Sequence, residues 1–90
     1  MRALHAGLDH ADFAALKRIE APLAEPEGAL SCHPEKYIEA IRRSVPSEGL
    51  ARIDMDTTVS PGSWEAAMRA IGAALLAVDC VANSEASNAF

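Results

Sequence analysis

The sequence predicts a mainly α-helical chain with one or two short strands, and three stretches carry that reading. Residues 61–81, PGSWEAAMRAIGAALLAVDCV, run through helix formers almost without a break behind a Ser-Pro start. Residues 35–45 follow Pro34 with Tyr37, Ile38 and Ile41 on one helical face and Glu35, Lys36, Glu39, Arg42 and Arg43 on the other. In GLARIDMD, residues 49–56, Leu50, Arg52 and Asp54 alternate with Ala51, Ile53 and Met55, the two-residue period of a short strand or extended loop.

The elements follow in order. Leu4 and Leu8 stand one turn apart in a short helix over Arg2 to Leu8 that no capping residue precedes, so it starts as if its beginning were missing. A helical turn from Ala11 to Leu16 leads into an extended piece, Arg18 to Ala21, stopped by Pro22. Pro26 suits the first turn of a short helix, Pro34 that of the next, and Pro46 ends the latter. In the last helix Ser60 is expected as N-cap and Pro61 as first helical residue. Trp64, Met68, Ile71, Leu75 and Val78 form its main stripe. The opposite side carries Ala66, Ala70, Ala73 and Ala77, and only Arg69 and Asp79 are charged between Ala66 and Val81. A helix apolar nearly all round is usually buried in a larger body, and 90 residues cannot easily surround it. Either a remainder of the domain or a partner is expected to cover it, with self-association through helix 61–81 as one form of cover.

Ninety residues make one domain at most and leave little room for a large cleft. Eight Lys and Arg against 13 Asp and Glu give a net charge of −5, with the cations scattered except at Arg42-Arg43; that argues against a nucleic-acid partner. The N-terminus lacks a secretory pattern, and the apolar run from Ala70 to Val78 is far short of the roughly 18 to 20 residues of a membrane span, so a cytoplasmic location is expected. Cys32 and Cys80 lack the paired spacing of a zinc or redox motif and read as reduced, buried thiols.

Candidate chemistry is sparse. Asp54 and Asp56, backed by Thr57 and Thr58, could serve metal ligation or substrate positioning, but lack the Gly and distal Glu of a calcium loop and read first as turn and capping residues. His33 sits between Cys32 and Pro34 without a second ligand at metal spacing, so it reads as a helix-start histidine bonded locally. His5 and His10, near Asp9 and Asp12, read as solvated. Ser60 and Ser63 match neither a nucleophile elbow nor a phosphate loop, and Trp64 reads as a core anchor.

HPEKYIEAIRRSVP, IDMDTTVSPGSWEAAMRAIGAALLAVD and the terminal NAF, in that order, resemble the histone deacetylase and acetylpolyamine amidohydrolase superfamily, especially its bacterial members. The likeness runs from about Ile19 onward. It implies an α/β parent domain of the arginase/deacetylase type, with a parallel sheet wrapped by helices, that uses one zinc ion to hydrolyse acetyl-lysine or acetylated polyamines. The zinc would polarise the amide carbonyl and activate a water that a histidine deprotonates. The family's Arg-Pro-Pro-Gly-His-His motif, its later zinc ligands and its opening Gly-His-Pro-Glu segment are absent from this sequence. The resemblance therefore implies that residues 1–90 are the N-terminal part of one such domain, truncated at both ends, with no catalytic or metal-binding residue of its own and no activity alone. One functional position carries over: Asp56 matches an acidic residue of the rim loop that accepts hydrogen bonds from substrate or directs a cationic one. His33 and Tyr37 match positions that look structural, the tyrosine on a packed face. The alternative is a small helical interaction or dimerisation module without catalysis.

Overall fold

A computed structural model describes residues 2–90, and about half of them are helical. Helix α1 covers Arg2–Leu8 and is followed by a 3₁₀ turn at Ala11–Phe13. The open end of α1 is tied down by Arg18, which pairs with the Asp9 carboxylate at 2.7 Å and donates to the Leu8 carbonyl. That contact serves a carbonyl the helix itself leaves free.

Among the described residues the extended piece expected at Arg18 to Ala21 finds no strand to pair with, and it continues as an irregular strap into a 3₁₀ turn at Pro26–Ala29. Helix α2, Glu35–Ser44, starts behind Pro34, and Arg42 and Arg43 in its last turn complement the helix dipole. Arg43 also pairs with Glu39 one turn back at 2.8 Å. Val45 turns extended ahead of Pro46, which disfavours helical backbone in the residue before it. Ile38 and Ile41 are half-buried on the inner face of α2. Tyr37, expected on that packed face, is 48% exposed, because it lies toward the His33 side and stacks its ring on the imidazole at 5.1 Å.

Strand β1, Ala51–Arg52, pairs antiparallel with β2, Thr58–Val59; Ala51 faces Val59 and Arg52 faces Thr58. The strand is shorter than the alternation in 49–56 because residues 53–57 turn the chain back, closed by the Ile53 N–H to the Thr57 carbonyl at 2.9 Å.

Helix α3, Ser63–Ala82, begins two residues later than the sequence suggests. Ser60 does open the first turn, but its hydroxyl is not the cap. The Ser63 N–H that such a cap would take is donated to the Ser60 carbonyl at 2.9 Å, and the Ser63 hydroxyl accepts the Ser60 N–H at 2.9 Å. Gly62 holds the cap position with helical backbone. At the far end Ser84 adopts a positive φ of 60°, which lets the Glu85 N–H reach the Cys80 carbonyl at 2.8 Å and folds residues 83–86 over Cys80.

What covers α3 is the strap together with the 3₁₀ turn at Pro26–Ala29, where Gly28 lies against Ile71 and Leu75. The Ala24 N–H donates to the Met68 carbonyl at 3.3 Å, and the Arg69 guanidinium donates to the Ala21 carbonyl at 3.0 Å while pairing with Glu65 at 2.9 Å. The approach requires glycine at 72, where a Cβ would stand 2.0 Å from the Pro22 carbonyl oxygen. The strap crosses only the first half of the helix, and this corrects the expected stripe. Met68, Gly72 and Cys80 are buried, whereas Leu75 is 51% and Val78 66% exposed. Val59, Met68 and Cys80 make up the buried apolar core of the described residues, and none of their side chains is wholly enclosed. The chain exposes 7354 Å², against about 5,000 Å² for a close-packed monomer of this mass. Its radius of gyration is 15.8 Å, against about 12 Å for a compact domain of this length. The helices are formed, and much of what they would bury stays open.

Candidate functional site

The short strands β1 and β2 present residues 53–57 as a tight loop at the end of a two-rung ladder. Asp54 organises it: one carboxylate oxygen accepts the Asp56 N–H at 3.1 Å and the Thr57 N–H at 2.8 Å. This is an Asx turn, the local bonding that makes Asp a frequent turn residue. Hydrogen bonding from the Thr57 side chain, followed by that from the Asp56 N–H and the neighbouring Asp56 side chain, holds the Asp54 carboxyl below the usual carboxylate range. The Arg52 guanidinium reaches over the loop and donates to the Met55 carbonyl.

Of the two carboxylates singled out in the sequence, Asp54 is thus the turn-forming one. Asp56 is exposed at the tip, beside an open hollow of about 490 Å³ lined by Arg52, Ile53, Asp54 and Met55. Thr57 joins the turn, while Thr58 belongs to β2. Sequence reasoning passed over Arg52 and Met55. Met55 is 88% exposed, and the only signal for it was an apolar residue between two aspartates; nothing in the sequence marked Arg52 as the residue that reaches back over the loop.

The other candidates lie apart from this loop. His33 meets the Tyr37 ring with its imidazole and makes its local hydrogen bond through the backbone, the N–H donating to the Ala29 carbonyl at 2.9 Å. Cys32, expected buried, is exposed because the turn after Leu30 carries it outward, and Cys80 is buried; both are free thiols. His10 approaches the Asp12 carboxylate at 3.3 Å on an exposed surface. Ser60 and Ser63 bond to each other's backbone and side chain within the turn before α3. Trp64 is half-buried and floors a cleft of about 460 Å³ with Leu30 and Ile38, the Arg42 guanidinium lying 5.6 Å from its ring centre. Among the described residues no group of three or more His, Cys, Asp or Glu side chains converges to hold a metal ion, and no helix is long and apolar enough to cross a membrane.

The histone deacetylase domain model matches residues 1–90. A histone deacetylase-like amidohydrolase of Pseudomonas aeruginosa is 35% identical over 77 residues, covering 86% of this chain and 20% of that protein. The chain thus spans about a fifth of the length of the curated relative it matches. The order of a proline-started helix, an Asx-turned acidic loop and a long apolar helix coincides with a match over the full chain, and the chain belongs to the histone deacetylase domain family.

Proposed function

We propose that residues 1–90 are the N-terminal part of a zinc-dependent amidohydrolase domain that hydrolyses acetyl-lysine or acetylated polyamines, and that they supply scaffold helices and one wall of the substrate entrance. The observation that carries this reading is the exposed area. The chain leaves about 2,300 Å² more in contact with solvent than a close-packed monomer does. Part of it is the apolar flank of α3 at Leu75, Val78 and Val81. Surface of that size and character is built to be covered.

The zinc of such an enzyme does not fit this chain's own residues, since among those described no set of ligands converges. What these residues do is bind and orient. Asp56, exposed at the tip of the 53–57 loop, accepts hydrogen bonds from substrate N–H groups or attracts the charge of a cationic acyl donor. Burial of α3 under the remainder of the domain fixes the loop relative to the reacting centre.

The test is a chimera in which this chain replaces the matching segment of the Pseudomonas aeruginosa protein. The chimera is expected to hydrolyse an acetyl-lysine peptide or an N-acetylated diamine. Asp56→Ala is expected to raise KM about three- to tenfold with kcat unchanged. An unaltered KM would remove the entrance role of Asp56. The same apolar flank also favours a second reading, a self-associating helical module, and the native mass of the 90-residue chain separates the two. A discrete oligomer that unfolds cooperatively supports the module.

A further inference from the structure

The peptide unit joining Met55 to Asp56 is gripped at both of its polar ends. Its carbonyl, on Met55, accepts from the Arg52 guanidinium, and its N–H, on Asp56, donates to the Asp54 carboxylate at 3.1 Å. Fixing a peptide plane fixes the two torsions on either side of it, ψ of Met55 and φ of Asp56. The second of these sets the direction in which the Asp56 Cα–Cβ bond leaves the backbone. The next residue is held by the same carboxylate, through the Thr57 N–H at 2.8 Å, and Ile53 closes the base of the loop onto the Thr57 carbonyl. The three side-chain contacts are exposed, as are residues 54–57, and only Ile53 at the base of the loop is half-buried. Packing does not orient Asp56, so the two side chains that grip its peptide do.

We infer that Arg52 and Asp54 are positioning residues that act through Asp56, clamping the Met55–Asp56 peptide so that the Asp56 side chain leaves the backbone toward substrate in one direction. The inference rests on the entrance role proposed for Asp56 and adds the two residues that make that role possible. An exposed aspartate on a free loop would lose backbone as well as side-chain entropy each time it bound, and a clamped one has lost the backbone share already. Arg52 is suited to the task because its planar guanidinium reaches a carbonyl three residues on with its geometry preset. Asp54 is suited because one of its oxygens serves two successive N–H groups.

The chemistry of the clamp dictates the variants. Asp54→Asn keeps an acceptor oxygen and Arg52→Lys keeps a donor, whereas Asp54→Ala and Arg52→Met keep neither. In the chimera described above, Asp54→Ala and Arg52→Met are expected to raise KM by the same factor as Asp56→Ala, about three- to tenfold, with kcat unchanged. Asp54→Asn and Arg52→Lys are expected to restore most of it. The double variant Asp54→Ala/Asp56→Ala is expected to be no worse than Asp56→Ala alone, because residues that act through Asp56 have nothing left to position. In the 90-residue chain, amide spectra of the alanine and methionine variants are expected to shift at residues 53–58 alone, which separates a released loop from a lost fold. If Asp56→Ala raises KM while Asp54→Ala and Arg52→Met do not, or if their effects add to that of Asp56→Ala, the clamp is overturned and the entrance role stands. If Asp56→Ala itself is silent, the entrance role falls and takes the clamp with it.

Discussion

Replacing Gly72 by alanine sets two consequences of one methyl group against each other. The added Cβ would lie 2.0 Å from the Pro22 carbonyl oxygen and 2.9 Å from its carbon. Ordinary carbon–oxygen contact begins near 3.3 Å, so the strap must withdraw by about 1.3 Å. Both offending atoms are backbone, and no change of rotamer relieves them. The withdrawal breaks the Ala24 N–H to Met68 contact, already long at 3.3 Å, and strains the Arg69 bond to the Ala21 carbonyl. Overpacking costs about 1–3 kcal/mol, and each part-buried hydrogen bond lost or strained adds about 0.5–1.5 kcal/mol. Docking of the strap is therefore weakened by about 3 kcal/mol, on the order of a hundredfold. The helix responds the other way, since alanine favours helix over glycine by about 1 kcal/mol. Amide exchange of the 90-residue chain reads the first effect and far-ultraviolet circular dichroism the second. The Ala24 amide is expected to exchange up to about a hundredfold faster, or at the unprotected rate, while helix content holds or rises. Gly62→Ala is the control, as nothing lies within 4 Å of its added carbon. Undiminished Ala24 protection in Gly72→Ala would refute the packing of the strap against the helix.

Two further outcomes follow from the loop and the thiols. The folded pKa of Asp54 lies below its unfolded value of about 3.9, so its contribution to loop order is fully present above that value and is lost as pH falls through the lower, folded one. The Asp56 and Thr57 amide signals are expected to move with a midpoint below about 3.9, a transition that Asp54→Asn removes. Cys32 is expected to react with a disulfide reagent at once and Cys80 only after the turn at residues 83–86 opens, so Glu85→Ala, which removes the side chain 3.8 Å from its sulfur, should quicken Cys80 alone.

Where a signal was local, it was legible. The prolines at 26 and 34 mark where helical turns begin, and the period of 34–45 marks the amphipathic helix, because both depend on neighbours in sequence. The stripe on α3 was misplaced beyond Ile71 because its partner is a strap some 48 residues earlier, and a run of alanines leaves every face of a helix eligible. Cys32 shows the same blindness, its exposure being decided by the path of the turn after Leu30. The acidic loop was visible as a pair of aspartates, and their division of labour was not. Which carboxylate folds back and which faces outward is settled by the positions of the Asp56 and Thr57 amides, only two and three residues from Asp54 but fixed by a hairpin whose register involves Val59.

The strap also dictates an order of events during synthesis. Arg69 bonds to a carbonyl 48 residues upstream, and Gly72 receives Pro22 across a similar span. A chain emerging from the ribosome therefore releases the strap long before its seat on α3 exists. In that interval α2 and the hairpin can form from contacts within their own neighbourhoods, and each shortens the tether that must later close. The strap is then the last local piece to settle, on a helix whose other flank remains open.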